Sequence, residues 1–363
     1  MKIKYADITN FKGLRHCHID FTDYDKPRQI TALLGDNGSG KTTVLQAIGL
    51  VLSMAARRTP STDAFQWHGF LADRIGSLGK TRVELSIDFD QTETSTISKL
   101  SYEYSQLFPP NHDSDFFPHL PSGAPNIKLV LEDGVLSSPE GPAAINAFAG
   151  RYTIEKLSKA RPEFRKEYTK LGSIFWFDQM RSLGQSLSSA NGAEKPEYAE
   201  SWQMGVEQLR EYLVGWWAHH TTSEKKEGAK DYIPALSEKF NMIFPGVRFK
   251  GVSPRGSGSG RISDFFFLLE REGKTFDIAE MSSGEQAVFP LIYEFVRLDI
   301  AKSIVLIDEL ELHLHPPQQQ ALLAALPKIG PDCQYIITTH SPYLESIIPD
   351  EHEVRLEGGR PCL

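Results

Sequence analysis

Gly35-Asp36-Asn37-Gly38-Ser39-Gly40-Lys41-Thr42 satisfies the pattern G-x-x-x-x-G-K-[ST]. Glycines let successive backbone N–H groups curl around a phosphate without Cβ clashes, and a following helix adds its positive N-terminal dipole. In such a loop Lys41 reaches the β- and γ-phosphates of a nucleotide, and the Thr42 hydroxyl ligates Mg2+. Gly35, Asn37, Gly38, Ser39, Gly40, Lys41, Thr42 and Thr43 are therefore the candidate phosphate-binding residues. The flanks agree with the chemistry. The apolar run ITALL precedes the loop, and Val44, Leu45, Ile48, Val51, Leu52 and Ala55 recur after it at helical spacing.

Phosphate chemistry also needs a metal-holding acid and a base. The run Ile304-Val305-Leu306-Ile307 reads as a strand buried on both faces, delivering Asp308 and Glu309 to its C-terminal edge, where open α/β sheets bind ligands. Asp308 is placed to hold the Mg2+ shell and Glu309 to polarise an attacking water. A third strand, CQYIITTH, ends in Thr339-His340-Ser341. His340 is read as a γ-phosphate contact, against the alternative of a satisfied, partly buried histidine. Gln179, ending SIFWFDQ, is the candidate for the metal or the water, with Gln91, ending SIDFD, as its rival.

A second helix-start stretch lies at Ala279–Gln286, AEMSSGEQ. Ser282 with Glu285 forms an S-x-x-E capping box, and Val288, Leu291, Ile292, Phe295 and Val296 continue the helix. Alone, this is a capped helix and nothing more.

The elements that must position these residues follow from periodicity. Ile3, Tyr5 and Ile8, then HCHIDF, read as strands. TRVELSIDF reads as a half-exposed antiparallel strand with Val83, Leu85, Ile87 and Phe89 on one face, and NIKLVLEDG as another ending in an Asp133-Gly134 turn. LFPPNHDSDFFPHLPSGAP between them is a proline-rich surface loop. Residues 140–171 and 195–243 read as mainly helical, RGSGSG (255–260) as a flexible hairpin tip, and DFFFLLEREGKTFDI as a hairpin about Glu272-Gly273. The last hundred residues alternate helix and buried strand, the mark of a parallel α/β sheet. The chain has 363 residues, 40% hydrophobic and 24% charged, with a net charge of -8, which argues against a surface basic everywhere. Cys17, Cys333 and Cys362 are widely spaced and read as reduced thiols of a cytoplasmic protein. No window approaches the roughly 20 apolar residues of a membrane-spanning helix.

The ordered set of P-loop, MSSGEQ, acid-ended strand and His-ended strand resembles the ABC-class ATPases. MSSGEQ is similar to their LSGGQ signature, with Met281 for the leucine and Glu285 in the glutamine position. The resemblance implies ATP and Mg2+ as ligands and two composite sites in a head-to-tail dimer or higher even oligomer. Carried over by position, Ser282 and the Gly284 backbone would contact the γ-phosphate of another copy. Lys41, Thr42, Gln179, Asp308, Glu309 and His340 would serve the copy's own nucleotide. The 241 residues from Lys41 to Ser282 exceed the spacing of transporter ATPases. ITNFKGLRHCHIDF, with IDELELHLHP, resembles instead the SMC, RecF and OLD group. In that segment His313 and His315 read as structural or dimer contacts rather than metal ligands. The implied fold is an ABC-type ATPase head, a P-loop parallel sheet plus an antiparallel β lobe. The head is expected over 1–90 and 262–363 with the strand 173–179, and a mainly helical insertion over 91–261. The chain runs 23 residues beyond His340, so the Toprim nuclease of OLD proteins is expected to be absent.

FQWHGFLADRIGSLGKTRVEL and WFDQMRSLG resemble the stand-alone ATPases of bacterial anti-phage systems, the PtuA ATPases of Septu and the retron-associated ATPases. These work with a separate effector, such as an HNH nuclease. A RecF-like DNA-repair ATPase is the alternative, and a nucleotide-sensing scaffold without turnover is disfavoured by Glu309 and His340. Residues 151–171 hold seven Lys/Arg against three acids and are a candidate DNA surface, or else a solvated helical face. Trp216-Trp217 and His219-His220 read as core or partner contacts.

Overall fold

Ile3, Ala6, Ile8 and Phe11 are all fully buried, although strict alternation would put Ile3 and Ala6 on opposite faces. A register shift between Ile3 and Tyr5 in strand β1 (Lys2–Phe11) resolves this by adding one residue to the strand. β1 pairs antiparallel with β2 (Leu14–Asp20) and with β6 (Arg82–Asp88). β6 pairs in turn with β7 (Asn126–Glu132), and β7 with β8 (Val135–Ser137), giving the order β2-β1-β6-β7-β8. Asp133 and Gly134, with φ of 47° and 82°, make the expected turn of the β7–β8 hairpin. A two-residue hairpin, β3 (Thr22–Asp23) with β4 (Lys26–Pro27), follows β2.

The structure, a computed structural model, describes residues 1–108, 126–179, 206–222, 230–256 and 264–356. It falls into two units. The first comprises Met1–Trp176, Ile300–Leu310 and Gly330–Leu363. It holds the antiparallel sheet above and a sheet of order β15-β5-β14-β13-β9, formed by β5 (Ile30–Leu34), β9 (Ile174–Phe177), β13 (Ile304–Ile307), β14 (Gln334–Thr338) and β15 (Glu353–Arg355). β5, β13, β14 and β15 pair in parallel, as the alternation of helix and buried strand predicts. Helix α1 (Lys41–Ala55) is buried almost all round rather than on one stripe. At Gly49 a Cβ would lie 3.2 Å from Trp67 and 3.4 Å from Leu306 and Phe65, so the helix is wedged between sheet and aromatic side chains.

β6 is half-exposed as its alternation predicts: Val83, Leu85 and Ile87 are fully buried, while Arg82, Glu84 and Asp88 on the other face are partly exposed. One expectation changes here. Gln91 does not end that strand. It is the exposed first residue of helix α2 (Gln91–Leu107), which Asp90 and Glu93 close with a capping box. The segment is rich in Ser and Thr, poor helix formers, so periodicity alone hides the helix. Helices α3 (Pro142–Asn146) and α4 (Gly150–Ala160) and the short turns around them follow α2 in this unit. By contact, residues 91–176 thus belong with the P-loop strands, whereas the reading by resemblance set 91–261 apart as an insertion. From residue 109 the proline-rich loop lies outside the described residues, as do 195–205, most of 255–260 and Cys362.

The second unit comprises Phe177–Asp299 and Glu311–Ile329. Its sheet, β10 (Arg248–Pro254), β11 (Phe265–Arg271) and β12 (Lys274–Asp277), is antiparallel, and Glu272 and Gly273 at φ of 51° and 76° turn the β11–β12 hairpin. Helices α5 (Val206–Thr221), α6 (Tyr232–Asn241), α7 (Ser283–Arg297) and α8 (Pro316–Ile329) belong to it, and α9 (Pro342–Ile347) to the first unit. Phe240 meets Phe289 at 5.2 Å between ring centroids, and Phe249 meets Phe267 at 5.9 Å, forming the core. Trp216 stacks between Tyr232 and Tyr293 at 4.5 and 4.7 Å, which places it in packing. Among the described residues no helix is long and apolar enough to cross a membrane.

Within this core Arg210 of α5 pairs with Asp277 at 2.6 Å, both nearly inaccessible, and Asp277 also accepts the Phe267 N–H at 2.9 Å. Removing one partner of such a pair leaves a buried charge uncompensated. Arg210→Ala should therefore lower stability by about 3–5 kcal/mol in urea unfolding. Lys250→Ala, which breaks an exposed pair with Glu270, should leave the urea midpoint close to the parent's.

Candidate active site

β5 is buried along its length and delivers the chain to Gly35. There φ is 143°, and a Cβ would sit 2.3 Å from the Leu356 carbonyl oxygen. At Gly40 φ is 101°, and a Cβ would lie 2.6 Å from Leu14 Cδ2. Only glycine combines that backbone with that space. The loop ends as α1 begins at Lys41, so the first-turn N–H groups of a 15-residue helix open onto it. The Lys41 side chain, 5% exposed, folds back across the loop and donates to the carbonyls of Gly35 at 2.7 Å and Asp36 at 2.9 Å.

Opposite the loop, Asp308 follows β13 and is 1% exposed. The Thr42 hydroxyl lies 3.0 Å from both of its carboxylate oxygens. A hydroxyl and a carboxylate so close are hard oxygen donors of the kind Mg2+ takes, and the glycine loop beside them is a cradle that any side chain would fill. Thr338, the last residue of β14, donates from Oγ1 to Asp308 Oδ1 at 2.7 Å and accepts the Glu309 N–H at 2.8 Å. Glu309 itself has φ 49°. His340, exposed, stands two residues past the end of β14.

One cavity of about 220 Å3 is lined by Asn37, Gly38, Gly40, Lys41, Thr42, Thr43, Asp308, Glu309, Thr338 and His340. The structure thus brings together the loop, the two acids and the histidine that the motifs single out. Gly35 and Ser39 shape the loop from behind: Ser39 is 5% exposed and its N–H bonds to the Asp36 carbonyl. Thr338 is the lining residue that sequence reading passed over. Its signal was a pair of hydroxyl residues, Thr338-Thr339, at the C-terminal end of a buried strand.

Gln179, Ser282 and Gly284 belong to the second unit and are described on it. Gln179 is half-buried in the turn after β9. Ser282 is the N-cap of α7, as expected: its N–H and hydroxyl both donate to Glu285 Oε2 at 2.8 Å, and Glu285 is held by Arg271. A second capping box, Asp277 with Glu280, immediately precedes it. Ser282 and Ser283 are exposed, whereas Gly284 is buried. A Cβ at Gly284 would lie 3.1 Å from the His313 carbonyl oxygen and from Gln318 Oε1. The His313 backbone is therefore packed against the helix start, while the His313 and His315 side chains are exposed. No cluster of metal-ligating side chains occurs among the described residues.

The candidate DNA surface at 151–171 is partly ion-paired, and Arg165 and Lys166 on it are exposed. Arg151 is buried and donates to the carbonyls of Leu171 and Tyr168, each at 3.2 Å. Lys159, Arg161 and Lys170 pair with Glu155, Glu103 and Glu167.

A family described as "AAA domain, putative AbiEii toxin, Type IV TA system" matches residues 30–346. The Retron Vc95 probable ATPase of Vibrio cholerae serotype O1 biovar El Tor is 32% identical, over 96% of this chain and 73% of its own length. Septu protein PtuA of Bacillus thuringiensis is 22% identical, over 94% of this chain and 72% of its own. Among solved structures, an SMC head bound to the C-winged helix domain of ScpA is similar in fold, with a TM-score of 0.50 at 15% identity over 95% of this chain and 92% of that one.

Among the described residues lining the cavity, Lys41 is the one lysine or arginine. Each charge-assisted hydrogen bond is worth about 1.5–3 kcal/mol, so Lys41→Ala should weaken ATP binding about 10- to 100-fold in a fluorescent-nucleotide titration. The melting temperature without nucleotide should stay close to that of the parent.

Proposed function

The chain belongs to the AAA_21 family of ATPase domains, and from that premise we propose that it closes ATP-dependent head-to-tail dimers controlling a separate effector in bacterial anti-phage defence. The chain is an ATPase; the proposal concerns which residues do the work and what the work serves. The observation that carries it is the single cavity in which Lys41, Thr42, Asp308 and Glu309 converge.

In this reading the glycine loop and the N-terminus of α1 bind the phosphates through backbone N–H groups. Lys41 releases the carbonyls of Gly35 and Asp36 to meet the γ-phosphate, where negative charge is highest. Thr42 and Asp308 would hold Mg2+, which would supply positive charge against the phosphates. Glu309 takes the proton of the attacking water, and His340 donates to a γ-phosphate oxygen. Phosphoryl transfer depends on positioning and electrostatics more than on covalent chemistry, so a site lacking one donor set turns over slowly. The missing donors are Ser282 and the Gly284 N–H of a second copy. What supports this is their place: an exposed N-cap serine on a 15-residue helix, whose dipole favours an anion. On binding, the Ser282 hydroxyl exchanges Glu285 for a phosphate oxygen. Gln179 is assigned to the metal or the water on resemblance.

The effector is a protein of the nuclease class. The names Retron and Septu carried by relatives support this. Co-expression with the neighbouring gene should yield a complex whose nuclease activity changes when ATP is added. A complex whose nuclease ignores ATP, or a lone chain that binds duplex DNA with steep salt dependence, would count against the proposal.

Glu309→Gln should bind ATP, hydrolyse it about 10^2- to 10^4-fold more slowly and accumulate as a dimer on size exclusion. Adding Ser282→Arg to that variant should return it to the ATP-free oligomeric state with ATP binding intact. A dimer that persists in the double variant would remove the trans role of the signature turn.

A further inference from the structure

Two neighbouring residues at the end of an extended strand point to opposite faces. Asp308 and Glu309 nevertheless line the same cavity. The reason is the Glu309 backbone, whose φ of 49° is in the left-handed region and breaks the alternation. Residues other than glycine adopt this conformation rarely, and it persists where surrounding contacts over-determine it.

Thr338 supplies several of those contacts. Thr338 Oγ1 accepts the Glu309 N–H at 2.8 Å, and the Thr338 carbonyl accepts the Leu310 N–H at 3.0 Å. The same hydroxyl gives its one proton to Asp308 Oδ1 at 2.7 Å. The donor and acceptor roles are mutually consistent: a hydroxyl that donates to a carboxylate keeps a lone pair for an N–H. Three consecutive residues, 308 to 310, are thus held by one threonine. Parallel pairing of β13 with β14, Ile307 opposite Ile337, brings it level with Asp308. Thr338 is completely buried, so water does not compete, and its β-branched side chain is restricted at χ1.

We propose that Thr338 is a positioning residue for ATP hydrolysis, its hydroxyl aligning the metal-holding carboxylate of Asp308 and the backbone that aims Glu309. The proposal rests on the reading of Asp308 and Glu309 given above. It differs from a mere filling of buried space in what it demands of the hydroxyl. Valine has the same shape and lacks both bonds; serine keeps both bonds and loses a methyl group.

The test compares Thr338→Val, Thr338→Ser and Glu309→Gln in the full chain, together with any effector it needs for turnover. The readouts are kcat, the Mg2+ concentration for half-maximal rate, Mg2+-free ATP binding and the melting temperature. Thr338→Val should lower kcat about 10- to 100-fold and raise the Mg2+ requirement by a similar order, as loss of a ligand's orienting partner does. Mg2+-free ATP binding should stay at the parent value, and Thr338→Ser should recover kcat and the Mg2+ requirement. Parent kcat and Mg2+ dependence in Thr338→Val, with Glu309→Gln inactive, would overturn the proposal and leave the site reading standing. Equal loss of kcat, ATP binding and melting temperature in both Thr338 variants would overturn it in favour of a packing role. Full turnover in Glu309→Gln would remove the site reading itself, and the proposal with it.

Discussion

A carboxylate 1% exposed is costly to keep charged unless hydrogen bonds replace its water, and Asp308 is that carboxylate. Its named donors sit on two elements distant in the chain: Thr42 in the first turn of α1 and Thr338 at the end of β14. One side chain therefore ties helix, strand and glycine loop together. The sheet order makes this possible, because β14 lies between β5, which feeds the loop, and β13, which carries the acid. Ligand crevices of open parallel sheets lie beyond such strand ends, and here hydrogen bonds within the protein hold the crevice in shape. Preorganisation of this kind spares the reaction the cost of arranging dipoles as charge moves.

The signature turn is made rigid by a different device. Two capping boxes follow one another, Asp277 with Glu280 and Ser282 with Glu285. The first is anchored in the core by Arg210 and the second from outside by Arg271. The turn between sheet and helix is thereby held at both ends, with Ser282 and Ser283 left facing solvent. Gly284 is small because the His313 and Gln318 segment presses on it, a packing reason independent of any phosphate. A helix cap and a ligand contact are thus compatible uses of the same residues.

The motif residues were readable because each obeys a local rule. A glycine that must take φ of 101° against Leu14, a lysine at the following helix start, and acids after a four-residue apolar strand need no tertiary information to be found. The capping box at Ser282 and the hairpin turns at Asp133-Gly134 and Glu272-Gly273 are local in the same sense. Helix α2 escaped because its Ser- and Thr-rich sequence carries weak propensity, and only packing of Ile97, Leu100 and Tyr104 reveals its buried face. β6, by contrast, was legible for a local reason, since its alternation of apolar and polar residues matches one buried and one partly exposed face.

What the sequence by itself determined is the candidate chemistry: a glycine loop of phosphate-binding pattern, two acids at a strand end and a second capped helix start, each written in neighbouring residues. Local rules suffice there because backbone freedom, hydroxyl caps and strand ends depend on sequence neighbours. Which residues hold those groups in place was decided only by the tertiary structure. Thr338 is 30 residues from Asp308, and a bond across that separation has no local pattern to announce it. The shared aim of Asp308 and Glu309 likewise depends on a left-handed backbone that an adjacent strand stabilises, against the intrinsic preference of the residue.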